Sequence, residues 1–209
     1  SNKEFELSIS NNDLIEYSTG LQMTFQNLVP ELYVASESKQ ALKKNMANLK
    51  SWDLTQRQIC DLELIMNGGF NPLSGFLGQE DYKSVVENMR LSNGALWPIP
   101  ITLDVSQEFA SGVEGGQDIM LRDLEGVVLA VLTISDKWSP NKKYEAEKVF
   151  GTNDIKHPAV HYLQNVAGPV YLGGQILGLQ KPVHYDFRAR RDTPNELRSY
   201  FHKLGWKKI

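Results

Sequence analysis

The chain has 209 residues, 41% hydrophobic and 22% charged, and its 22 Lys+Arg against 25 Asp+Glu leave a formal net charge of −3. That length supports one large or two small domains, with roughly 70% of the unfolded surface buried on folding. Its longest apolar run, 127–132, is far short of the ~18–20 residues of a spanning helix. The slightly acidic balance argues against a dedicated nucleic-acid binder, and the single cysteine, Cys60, excludes an internal disulfide. No basic region leading into an apolar stretch opens the chain, so a cytoplasmic protein is expected.

Residues 1–22 show no sustained period and read as a loosely ordered arm. Leu32-Tyr33-Val34 resembles a short strand, and a polar helix is expected from Ser36 toward Leu49. Thr55-Gln56-Arg57-Gln58 is a capping box, with Ile59, Leu62, Ile65 and Met66 on one helix face and Gly68-Gly69 as the stop. A residue just past a helix end commonly needs positive φ, and Gly69 is the position expected to supply it. A turn-rich stretch at 70–76 precedes a helix over about 79–89. Asn93-Gly94 marks a turn before a strand over 97–105, whose first half is demoted by Pro98 and Pro100. A hairpin is expected from 118–122 and 127–134 around a turn at 123–126. Short helices follow at 141–150 and 158–166, then a Gly-punctuated bent strand or strand pair at 170–179.

Composition changes at Lys181. Residues 181–192 have neither strand nor helix period and read as a linker. Thr193-Pro194-Asn195-Glu196 then combines a capping residue, a proline at the first helical position and an acid three residues on. Leu197, Tyr200, Phe201 and Leu204 recur at 3, 4 and 7, so one helix face is built for burial. With Gly205 and the 206–209 stretch this resembles the opening of a truncated second domain. The chain divides into an arm at 1–22, a first domain at 23–180, a linker at 181–192 and the second domain's start at 193–209.

No phosphate loop, dinucleotide fingerprint or nucleophile elbow is present; Ser74 lacks the preceding glycine such an elbow needs. Gly68-Gly69-Phe70 could offer amides to an anion but fits a helix stop followed by a packed turn. His157 and His161 have metal-ligand spacing without a third ligand nearby in sequence. Lys142, Lys143, Glu145, Glu147 and Lys148 read as a solvated helix face. Cys60, between Ile59 and Leu62, reads as a buried structural thiol. Arg188, Arg190 and Arg191 are the only weak candidates for binding an anionic substrate. Gly68, Gly69, Pro72, Gly75, Thr193 and Pro194 are expected to serve structure.

The ordered set 54–77, 97–105, Glu145-Ala146-Glu147-Lys148-Val149-Phe150-Gly151, His157-Pro158-Ala159, Asn165-Val166-Ala167-Gly168 and Thr193-Pro194 through Arg198 closely resembles the N-terminal portion of the ATP sulfurylase (sulfate adenylyltransferase) family. The resemblance runs over about residues 30–209 and is nearest to the fungal-type branch. It implies an α+β protein: a PUA-like β-barrel domain with helices, then the truncated start of an α/β Rossmann-like nucleotidyltransferase domain. It also implies a complete, homo-oligomeric enzyme that uses ATP, as MgATP, and sulfate. The family's catalytic residues lie in a Gln-x-Arg-Asn-x-x-His-x-x-His stretch and a later Gly-rich loop. Neither is in this chain, so no catalytic residue, metal ligand or bound cofactor is assigned to it. The alternative reading is a stand-alone PUA-like module that binds RNA or protein.

Overall fold

The computed structural model describes residues 28–35, Lys39 and 46–206. The expected arm at 1–22, most of the polar helix from Ser36, and residues 207–209 lie outside them. A 3-10 turn at Met46–Asn48 leads into β1 (Lys50–Asp53), which one large apolar side chain in four residues does not announce. The capping box then forms as written. Thr55 is extended, its hydroxyl accepts from the Gln58 amide, and the Gln58 side chain accepts from the Thr55 amide, opening α1 (Gln56–Met66).

The stop of α1 differs from expectation by one residue. Gly68, at φ +81°, takes the left-handed conformation, whereas Gly69 does not. Gly69 stays small for a contact: its amide donates to Asn67 Oδ1, and an added Cβ would lie 2.8 Å from Leu64 Cδ2. The turn that follows carries a cis Asn71–Pro72 peptide and ends in β2 (Gly75–Phe76). Gly75 is required because an added Cβ would run into the Gly174 carbonyl across the β2 pairing.

Next come α2 (Gln79–Asn88), β3 (Leu103–Val105) and α3 (Gln107–Ser111), the last capped by Ser106. The prolines at 98 and 100 confine strand pairing to the end of the expected 97–105 segment. The hairpin consists of β4 (Asp118–Arg122) and β5 (Val128–Trp138), its turn closed by Asp123 Oδ1 accepting from the Glu125 and Val127 amides. β5 outruns its expected end because a register shift at Ile134/Asp136 lets the polar residues after Ile134 stay in the ladder. α4 (Lys142–Phe150) and α5 (Pro158–His161) follow, the latter continuing as a π turn at Tyr162–Val166, then β6 (Val170–Gly178), a single strand. A 3-10 turn at Arg188–Arg190 precedes α6 (Pro194–Lys203).

The six strands form one mixed sheet in the order β1-β4-β5-β6-β2, and β3 shares the outer edge of β6 with β2. Only β1 and β4 run parallel among the named strands. With the helices this is the expected α+β class. Leu54, Leu62, Ile65 and Met66 pack with Leu103, Leu121, Leu132 and Leu172 in the main core. A second core joins Tyr82, Val85, Ala146, Val160 and Leu163 to Trp138 and Tyr171. Residues 129–132 of β5 are all buried because both faces are covered: Val131 packs instead with Val34, Met46 and Leu179.

Gly68→Ala combines a positive φ with a Cβ placed 2.6 Å from Val29 Cγ2 and 2.7 Å from the Pro30 oxygen. Gly126, also at positive φ, has nothing within 4 Å of an added Cβ. Thermal melts should therefore show Gly126→Ala losing about 1 kcal/mol and Gly68→Ala clearly more, on the ~1–3 kcal/mol scale of backbone strain plus a clash. Equal losses would mean that the 28–30 segment does not pack on this turn.

Candidate functional site

A buried carboxylate on a strand has few ways to be satisfied, and Asp104 of β3 uses three partners. Its side chain is 7% exposed; Oδ1 accepts from Arg57 Nη2 at 2.5 Å and Gln58 Nε2 at 3.0 Å, and Oδ2 from the Gly168 amide at 2.7 Å. Gln58 Nε2 also donates to the Asp104 carbonyl at 2.7 Å, while Gln58 Oε1 accepts from Trp52 Nε1 and the Thr55 amide. Arg57 spans the rest of the cluster, donating through Nη1 to Asp61 at 2.6 Å and through Nε to the Tyr162 hydroxyl at 3.1 Å. Burial raises the Asp61 carboxyl above its ordinary range, Arg57 pulling it back and Asp104 adding to the rise. The cluster thus joins α1, β3, the π turn and the 167–168 loop.

A second buried acid, Glu145 of α4, accepts through Oε2 from Tyr82 at 2.8 Å and Tyr171 at 3.1 Å. Trp138 packs on both tyrosines, with ring centroids 5.4 and 5.8 Å away. Burial raises the Glu145 carboxyl, and the two phenol hydrogen bonds, then Lys142 and Arg57, offset part of the rise. Burial beside this carboxylate pushes both phenols far above their ordinary value. Glu145 therefore does not belong to the solvated face expected of it. The helix turns it inward beside Ala146, and its neighbour Lys142 is half-buried, donating to the Ala167 carbonyl at 2.5 Å.

The arginines of the 181–192 segment mostly face their own segment. Arg188 Nε donates to the His184 carbonyl at 2.7 Å, and Arg191 donates to the Asp186 carbonyl at 3.1 Å and to Asp186 Oδ1 at 2.7 Å. Arg190 is exposed. Thr193 and Pro194 open α6 with the expected capping box. Cys60 corrects the sequence reading: it is exposed, because the buried set Gln58, Ile59, Leu62, Ile65 and Met66 defines the opposite face of α1. His157 stacks on Phe150 at 5.4 Å, His161 is exposed, and no three His, Cys, Asp or Glu among the described residues group to hold a metal ion. An open cleft of about 460 Å³ lies between Leu28, Glu31, Lys181 and the α6 residues Asn195, Tyr200 and Lys203.

Sequence reasoning saw Arg57 and Gln58 only as cap residues and Asp104 only as part of a strand. The available signal was an acid between Leu103 and Val105, since a carboxylate in an otherwise apolar strand must find donors. Its partners lie 46 and 64 positions away, a separation that one sequence does not reveal.

A carboxyl with a raised folded-state pKa contributes stability that is complete below the unfolded value, about 4.3 for Glu, and lost as pH rises through the folded value. Glu145→Gln removes that slope, while Asp61 contributes equally to both proteins. Urea midpoints should therefore move in favour of the variant, relative to the original chain, as pH rises from about 4 to 7. A difference that is constant, or that moves the other way, would contradict a buried acid with a raised pKa.

The PUA-like domain family model matches residues 24–181. Sulfate adenylyltransferase of Debaryomyces hansenii is 53% identical over 166 residues, 75% of this chain and 31% of that protein. Those of Kluyveromyces lactis and Eremothecium gossypii are 50% and 49% identical over 87% and 83% of this chain, and 37% and 35% of their own lengths. The chain thus spans about a third of the length of the curated relatives it matches. A solved structure titled a hexameric APS kinase, from Thiobacillus denitrificans, superposes with a TM-score of 0.67 at 32% identity, covering 87% of this chain and 31% of that one. The chain belongs to the PUA-like domain family, in the form found in fungal-type sulfate adenylyltransferases.

Proposed function

We propose that this chain is the non-catalytic, PUA-like part of a sulfate adenylyltransferase. In the complete enzyme a sulfate oxygen attacks the α-phosphorus of MgATP; the new P–O bond gives adenosine 5′-phosphosulfate, and cleavage of the bond to the β-phosphate releases pyrophosphate. The observation that carries this reading is 49–53% identity to three fungal sulfate adenylyltransferases over at least 75% of the chain. Magnesium enters as part of the substrate.

The chain's own contribution is shape. Phosphoryl and adenylyl transfer depend on reactants held in line and on charge stabilised at the transferring phosphorus. Three acids drawn into the packed interior are held by structural partners: Asp61 and Asp104 by Arg57, and Glu145 by two phenols. On this reading the first domain covers 23–180 and 181–192 connects it to α6, which opens a Rossmann-like nucleotidyltransferase domain. The exposed Leu197, Tyr200, Leu204 and Trp206 then make the face that this domain covers. The complete enzyme is homo-oligomeric, in keeping with the neighbour titled hexameric.

Pyrophosphate release from MgATP in the presence of sulfate, or of molybdate as a substitute, tests this directly. The purified 209-residue chain should stay at the buffer blank, and the full-length parent should turn over with both oxyanions. Turnover by the isolated chain would overturn the non-catalytic role. A parent inactive toward both oxyanions would overturn the family activity.

A further inference from the structure

The 181–192 segment has the composition of a linker, but several of its side chains hold contacts along its length. Lys181 Nζ lies 5.9 Å from the centre of the Tyr33 ring. Pro182 is buried and His184 half-buried, while Val183 and Tyr185 are exposed, the alternation of an extended segment lying on a surface. His184 Nε2 is 3.0 and 2.9 Å from the two carboxylate oxygens of Glu63 on α1. Tyr185 donates its hydroxyl to Glu125 at 3.0 Å.

Beyond Tyr185 the chain knots on itself. Phe187, at φ +46°, turns it into the Arg188–Arg190 3-10 turn, which Arg188 ties back to the His184 carbonyl and Arg191 to Asp186. At the far end Asn195 hooks the 28–31 stretch in both directions: its Oδ1 accepts from the Val29 amide and its Nδ2 donates to the Val29 carbonyl, each at 2.9 Å.

We infer that residues 181–195 form a latched strap, not a flexible tether, with the His184–Glu63 contact as its clasp and the Arg191–Asp186 pair closing its knot. The strap holds α6 at a fixed distance and orientation relative to the sheet. Its use as an interdomain spacer rests on the reading that α6 opens a second domain; the strap itself does not. The knot also gives Arg188 and Arg191 a role without any anionic ligand. Two of the three guanidiniums are drawn inward by oxygens of the segment itself, which offsets the repulsion of three cations so close together.

Trypsin reads the strap directly, because cleavage after Arg188, Arg190 or Arg191 requires local opening. In the 209-residue chain those bonds should be cut at least about tenfold more slowly than in a free peptide of residues 181–195, fragments being assigned by mass. His184→Ala should speed cleavage several-fold at all three bonds, and Arg191→Ala, which removes its own site, should do so after Arg188 and Arg190, both with an unchanged melting temperature. Glu63→Gln, which keeps the side-chain shape on α1, provides a second probe of the clasp and should do the same. Peptide-like cleavage of the original chain would overturn the strap. Unchanged protection in both His184→Ala and Glu63→Gln would overturn the clasp. Neither result bears on ATP or sulfate chemistry, so failure here is distinct from failure of the proposed function.

Discussion

Asp104 is the constraint that ties α1 and the loop before β6 to the edge of the sheet. A carboxylate in the middle of a wholly buried three-residue strand is tenable only with its donors in place. They come from α1 through Arg57 and Gln58, and from the loop before β6 through the Gly168 amide. Gly168 fits its site because an added Cβ would collide with the Val105 backbone. The result is a polar bolt through the edge of the sheet, next to a core that is otherwise non-directional. Apolar packing brings α1 against the sheet, while the bolt fixes where along the helix the contact is made.

The second buried acid plays a similar part for the other core. Glu145 draws the hydroxyls of Tyr82 and Tyr171 to one point, fixing α2 and α4 against the end of β6. Surface pairs around it, such as Lys148 with Glu87, sit in solvent and contribute little by comparison.

How much of this was legible depended on the range of the interaction that decides each element. The capping boxes at Thr55 and Thr193, the hairpin turn at 123–126 and the period of α1 are local, and the sequence carries each within four or five residues. The short β1 owes its strand state to β4, nearly 70 residues away, and nothing inside Lys50–Asp53 announces it. Cys60 shows the cost of reading neighbours instead of helical phase: Ile59 and Leu62 flank it in sequence but lie on the other face. The candidate site was least legible, since Asp104 and Glu145 are buried by partners from distant segments. The resemblance to sulfate adenylyltransferases supplied the functional reading, and the fold shows Asp104 and Glu145 each tying separate elements together.

Asp104 and Arg57 are energetically coupled as an anchor and do not merely lie side by side. A double-mutant cycle with Asp104→Asn, Arg57→Met and the pair, followed by chemical denaturation, measures that coupling. Arg57→Met leaves the buried Asp104 carboxylate without its charged partner, and Asp104→Asn removes the charge that Arg57 Nη2 faces, so the double variant should lose less than the sum of the singles, with a coupling of at least about 1.5 kcal/mol. Additivity within about 0.5 kcal/mol would contradict that coupling.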